Sequence, residues 1–189
     1  HLQRLTEKRG HQGFHLSAFA PSVEQYQRAL AAEIATIELI DEAVGEVLAA
    51  VERAGENTIV IFTSDHGFHL GEHDFWAKVS LLDESSQVPL IISVPGKQPA
   101  VCHSLTELLD LYPTLTDLCG LPAQSRLQGE DISRMLDDPA HTVRTAAFSV
   151  APMRKGFLLR EDDWAFIQYG EQGQNGMELF HIKTDPHQY

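Results

Sequence analysis

Residues 63–78, Thr-Ser-Asp-His-Gly-Phe-His-Leu-Gly-Glu-His-Asp-Phe-Trp-Ala-Lys, gather most of the side chains in this sequence that could do chemistry. Asp65 and His66 follow directly on an apolar, β-branched run. A carboxylate beside an imidazole can hold a divalent cation, and carboxylate oxygens suit Ca2+ or Mg2+. Ligands collect at the carboxyl ends of strands in α/β sheets, so the position fits a site. Gly67 is expected to let the backbone turn sharply there. His69 and His73 follow at short spacing, then Trp76 and Lys78. Each residue also has a plainer reading. An Asp after a strand is often a cap, loop histidines and lysines are often only solvated, and a tryptophan is more often packing than recognition.

The elements that must position these residues can be read on either side. Ser22 and Gln25 form a capping box that opens a long helix over 22–54. Its apolar residues Val23, Tyr26, Leu30, Ile34, Ile37, Ile40, Val44, Val47, Leu48 and Val51 recur every three to four positions, which makes one face, and Gly55 is a natural stop. The runs 58–63 and 88–94 are unbroken and apolar, as in strands covered on both sides. A second capping box, Ser104 to Glu107, opens a helix that ends at Gly120, with a kink or restart expected at Pro113. A helix, a strand, a rich loop, a strand and a helix describe an α/β layer with a mostly parallel sheet, the first helix packed across it. After about residue 145 the pattern changes. A hairpin around 161–163 and a strand near 177–182 suggest a small antiparallel appendage. The expected division is therefore 1–144 and 145–189, with residues 1–20 an irregular lead-in.

Composition narrows the class. The chain has 189 residues, and 14 Lys+Arg against 27 Asp+Glu give a net charge of −13. Counterion release needs clustered cations, so nonspecific binding to nucleic acid or an anionic membrane is not expected. No apolar run approaches the roughly 20 residues of a membrane span. No signal peptide is read at the amino end, and the compartment is left open. Two cysteines, Cys102 and Cys119, make neither a disulfide framework nor a zinc site.

The order of motifs is more specific than any of them alone. It runs from Tyr26 and Ile40-Asp41-x-x-Val44-Gly45, through Asn57-Thr-Ile-Val-Ile-Phe-Thr-Ser-Asp-His-Gly67, to Leu70-Gly-Glu-His73, Trp76-x-Lys78 and Val88-Pro-Leu-Ile-Ile. Glu107-Leu-Leu-Asp-Leu-Tyr-Pro-Thr-Leu115, Gly120-Leu-Pro122, Glu178-Leu-Phe and Asp185-Pro186 complete it. This series resembles the carboxyl-terminal part of the catalytic domain of type I sulfatases, most closely the iduronate-2-sulfatase and choline-sulfatase-like branch. The resemblance implies an alkaline-phosphatase-like fold and hydrolysis of a sulfate monoester, from a small molecule or a sulfated saccharide. It further implies a formylglycine nucleophile and a bound Ca2+, with Mg2+ the lesser alternative. Asp65 and His66 match the later pair of metal ligands, and Lys78 matches the lysine that contacts the substrate sulfate. His69, His73 and Trp76 are candidate substrate contacts.

One departure matters. The formylglycine is made from Cys or Ser in a C-x-P-x-R type motif, and no such motif occurs among these 189 residues. Cys119 is followed by Gly-Leu-Pro, and Arg126 lies seven residues on. The expectation is a fragment whose partner is the missing amino-terminal half, and which alone is inactive, binds metal weakly and self-associates. A phosphonate monoester hydrolase or phosphodiesterase of the same superfamily is the enzymatic alternative. A noncatalytic module binding anions or a partner is the other.

Overall fold

The computed structural model describes residues 21–55, 57–78, 80–151 and 156–189, and the backbone of 12–15. The lead-in expected over 1–20 lies outside the described residues, except that Gln12–His15 forms a strand, β1.

The capping box closes in both directions. The Gln25 amide donates to Ser22 Oγ (3.2 Å) and the Ser22 amide to Gln25 Oε1 (2.8 Å). Helix α1, Val23–Ala54, then runs for 32 residues and stops at Gly55. Its apolar stripe does not pack as expected. No α1 residue is buried, and Val23, Ile34, Ile37, Ile40 and Val47 are each more than half exposed. Periodicity records that a face is built for burial, but not what lies across it.

The two apolar runs are strands, β2 (Val60–Thr63) and β5 (Leu90–Ser93). They pair with each other antiparallel, Val60 opposite Ser93 and Thr63 opposite Leu90. This corrects the parallel sheet expected from sequence, and every strand pairing among the described residues is antiparallel. A parallel partner needs a crossover that carries the chain back to the strand's starting end. Residues 64–89 make no such return, so β5 begins opposite the end of β2. Nor is the pair covered on both sides, since Phe62 and Ile91, cross-strand partners, are 45% and 60% exposed.

Between them, β3 (His69–Leu70) and β4 (Phe75–Lys78) form a hairpin around a 3-10 turn, Glu72–Asp74. β1 adds to the other edge of β4. A short helix α2, Asp83–Ser86, precedes β5. The box expected at Ser104–Glu107 moves three residues on. Ser104 Oγ donates to His141 O (2.7 Å), while Glu107 caps a 3-10 turn, Leu108–Asp110, reciprocally with Asp110. Helix α3, Leu111–Leu118, starts after it. Pro113 thus falls in the first turn, where its missing N–H costs nothing.

The carboxyl-terminal strands β6 (Ala146–Ala151), β7 (Gly156–Glu161), β8 (Trp164–Tyr169) and β9 (Met177–His181) form an antiparallel meander. A two-residue loop, Asp162-Asp163, joins β7 to β8, with Asp162 at φ 41°. One face of the meander carries Leu158, Ala165, Ile167 and Tyr169, which bury Leu81 and Leu82 from the loop after β4. That contact seats the segment carrying the chemistry against the sheet.

A buried ion pair joins the 3-10 turn before α3 to the segment leading into β6. Asp110, fully buried, accepts from both Nη atoms of Arg144 and from the amides of Glu107 and Glu130, each at 2.8 Å. Burial alone would raise the Asp110 pKa, but the Arg144 and amide hydrogen bonds outweigh it and hold the carboxyl below the usual range. Glu107 Oε1 in turn accepts from the Phe148 amide at 2.6 Å.

Candidate active site

Immediately after β2, Ser64 Oγ donates to His66 O (2.8 Å) and shapes a turn that leaves the Asp65 side chain 83% exposed. His66 Nδ1 lies 2.9 Å from Gly67 O. A carbonyl can only accept, so this bond puts the ring hydrogen on Nδ1 and leaves the Nε2 lone pair pointing outward. Lys78 Nζ approaches that lone pair at 2.9 Å, and Asp65 Oδ2 lies 3.5 Å from the same nitrogen. Asp65, His66 and Lys78 therefore converge. An ammonium occupies the position facing two acceptors that a cation would seek.

Two backbone features bring the pieces to this spacing. Gly67 is needed for a reason other than the sharp turn foreseen. Its φ is not positive; instead its amide donates to Ser85 O (2.9 Å), and a Cβ there would lie 2.1 Å from Glu84 O. The Asp65–His66 turn is thus pressed against α2. On the other side, Ala77 adopts φ 98°, a left-handed value for a residue with a side chain, one position before Lys78. Such strain costs of order 1–3 kcal/mol and persists where neighbours over-determine it. Here Ala77 is held between Gly13 of β1 and His69 of β3.

His69, His73 and Trp76, the candidate substrate contacts, pack behind this cluster. His69 is fully buried, with Nε2 2.7 Å from Ser80 Oγ and its ring edge-on to Phe75. Burial pushes its pKa down. The His73 side chain is 10% exposed and its ring stacks on Tyr189. Trp76 packs edge-on between Tyr26 and Phe68. Tyr26 Oη also donates to Leu70 O at 2.6 Å, over Gly71, whose φ of 126° and lack of a Cβ make room for the ring. The β3–β4 hairpin is short, so its inward residues are taken up as its core.

Asp65 and His66 open onto a cleft of about 790 Å3 whose far wall includes His103, Phe148 and Arg160. Arg160 Nη1 lies 3.4 Å from Asp83 Oδ2, and burial raises the Asp83 pKa against that pull. Cys102 is partly exposed and also lines the cleft. These wall residues carry no motif, and only the three-dimensional arrangement reveals them.

As a metal centre the site is partial. Among the described residues no group of three His, Cys, Asp or Glu side chains is close enough to hold an ion. The exposed Asp65 carboxylate fits one position of a divalent-cation shell, and His66 Nε2 a second only where Lys78 turns away from it; Ca2+ takes about six to eight ligands.

Residues 8–121 match the family model described as sulfatase, and residues 71–189 match that of N-sulphoglucosamine sulphohydrolase, C-terminal. The choline-sulfatase of Rhizobium meliloti is 30% identical over 98% of this chain and 36% of its own length. The iduronate 2-sulfatase of Mus musculus is 35% identical over 65% of this chain and 28% of its own. A structure solved in complex with its substrate, D-glucosamine-2-N,6-O-disulfate, superposes with a TM-score of 0.75 at 28% identity, over 98% of this chain and 40% of the other. The chain spans about a third of the length of the curated relatives it matches. With the Asp65–His66–Lys78 cluster inside a match that takes in more than half of its residues, the chain belongs to the sulfatase family.

Proposed function

We propose that this chain supplies one side of the active site of a sulfatase acting on a sulfate monoester, a sulfated saccharide being the substrate class favoured by the disulfated glucosamine bound to a structural neighbour. Asp65 and His66 would hold the metal, Ca2+ as the family resemblance implies, which when bound supplies positive charge beside the ester. Lys78 contacts the sulfate. The formylglycine nucleophile comes from outside these residues, since they contain no C-x-P-x-R or S-x-P-x-R. Residues 1–144 belong to the catalytic domain and 145–189 form a small antiparallel unit, a division supported by the self-contained pairing of β6–β9.

The observation that carries this reading is the 2.9 Å approach of Lys78 Nζ to His66 Nε2 from a different strand. In an acidic chain, an incoming sulfate needs locally placed positive charge. Lys78 donates to its oxygens and balances charge that develops as the ester bond breaks. The test is the intact protein assayed on 4-nitrophenyl sulfate and on 4-nitrophenyl phenylphosphonate, alongside Asp65→Asn and Lys78→Ala. Loss of about a hundredfold in kcat/KM on the sulfate ester is expected for either variant. Parent-like turnover in both, or a clear preference for the phosphonate, would refute the assignment.

A further inference from the structure

Behind the site lies a set of polar side chains that the proposed chemistry does not use. His69 Nδ1, His73 Nε2, Glu84 Oε2 and Gln188 Nε2 are buried atoms without a hydrogen-bond partner. Glu84 stands at their centre and touches both halves of the site. Its peptide carbonyl lies where a Cβ on Gly67 would be, one residue from His66. Its carboxylate Oε1 lies 3.5 Å from His73 Nε2, an ion-pair distance in a region where Glu84 is 20% and His73 10% exposed. His73 sits in the turn that leads into β4, whose last residue is Lys78.

That turn is strained. His73 and Asp74 are both left-handed, at φ 57° and 59°, a conformation that side-chain-bearing residues adopt at a cost and keep only under constraint. The constraints on it include the bonds from the Asp74 amide to Gly71 O and from the Gly71 amide to Phe75 O, and beyond the turn the Glu84 carboxylate and the Tyr189 ring stacked at 4.6 Å. Tyr189 is itself tied to α2, because the adjacent Gln188 accepts from the Asp83 amide at 2.7 Å. Burial alone would raise the Glu84 pKa, but the His73 imidazole facing it turns the net shift downward.

We propose that Glu84 is a positioning residue for sulfate binding: its main chain seats the Asp65–His66 turn and its carboxylate fixes the His73 turn, so that one residue sets the spacing between His66 and Lys78. This rests on the sulfatase reading of those residues. Glu84 does not touch substrate, and it acts through Lys78.

The experiment is a double-mutant cycle in the intact protein, with kcat and KM on 4-nitrophenyl sulfate and a melting curve for each variant. Lys78→Ala in the parent should raise KM about tenfold, and Glu84→Ala should raise it by a similar factor. In the Glu84→Ala background, Lys78→Ala should change KM by less than about twofold, because the lysine is already misplaced. Glu84→Gln, which keeps the shape and one acceptor for His73, should recover most of the loss. If Glu84→Ala does not fold, His73→Gln opens the same link from the other side and should show the same coupling to Lys78. Additive losses, or a parent-like KM in folded Glu84→Ala, would overturn the positioning role while leaving the site reading intact. If Lys78→Ala alone left both kcat and KM unchanged, the site reading itself would fall, and this inference with it; a loss in kcat alone would overturn only the ground-state positioning argued here.

Discussion

Replacing Asp110 by Asn removes one charge at the junction of α3 and β6 with little change in shape. The buried carboxylate takes four hydrogen bonds, two from Arg144 and two from the amides of Glu107 and Glu130. Asn keeps a single acceptor oxygen and turns an NH2 group toward donors. At least one amide or guanidinium N–H then loses its partner, and Arg144, whose side chain is 12% exposed, is left without its main counter-charge. Breaking a buried pair from one side costs about 3–5 kcal/mol. Native-state hydrogen exchange reads this locally. The Glu107 and Glu130 amides, which donate to Asp110, should exchange about a hundred- to several-thousandfold faster in the variant at pH 7. The pH dependence has a definite sign. The Asp110 pKa is depressed in the folded state, so its contribution is complete above the unfolded value of about 3.9 and is lost as pH falls through the lower folded value. Parent and variant should differ as much at pH 5 as at pH 7 and converge only in stronger acid. Exchange within about threefold of the parent at pH 7 would show that the Arg144 pair adds no local stability, contrary to the one-sided penalty.

Gly67→Ala would place a methyl 2.1 Å from Glu84 O, so the turn or α2 must shift; a stability loss of about 1–3 kcal/mol and reduced hydrolysis of 4-nitrophenyl sulfate are expected, and unchanged values for both would contradict the close approach. Tyr26→Phe deletes the 2.6 Å bond to Leu70 O and should cost about 1 kcal/mol by denaturant titration, a result refuted by an unaltered midpoint. His69 has a lowered pKa in the folded state, so the unfolded chain takes up the proton first, and stability should fall as pH drops below about 6.5. His69→Gln should lower stability at pH 7 yet flatten that fall; equal slopes for parent and variant between pH 7 and 5 would exclude His69 as its source.

Local signals in the sequence proved readable where the physics is local. The Ser22–Gln25 box, the Gly55 stop and the turn before Trp164 each depend on a few neighbouring residues, and the structure contains all three. The runs at 58–63 and 88–94 are strands, but their direction depends on the path of residues 64–89, which apolar periodicity does not encode. β6 went unforeseen because its alternation of Ala147, Ser149 and Ala151 with Phe148 and Val150 contrasts small residues with large, not polar with apolar. Within the site, chemistry and order singled out Asp65, His66 and Lys78 as residues that come together. The packing of His69 and His73 was not legible, because whether a histidine is buried depends on which side of the hairpin it faces. Glu84 carried no signal, since its contacts with Gly67 and His73 join segments more than ten residues apart.

Helix α1 can also be viewed as a shaft held near one end. Its 32 residues extend about 48 Å, and its first turns are clamped by the Tyr26 hydroxyl and ring to Leu70 and Trp76. The rest of the shaft has no buried residue to brace it. Tyr26 is where the shaft meets the hairpin whose second strand ends at Lys78. From that point roughly 40 Å of helix, with Ile34, Ile37, Ile40 and Val47 exposed along it, projects away from the ammonium that faces His66.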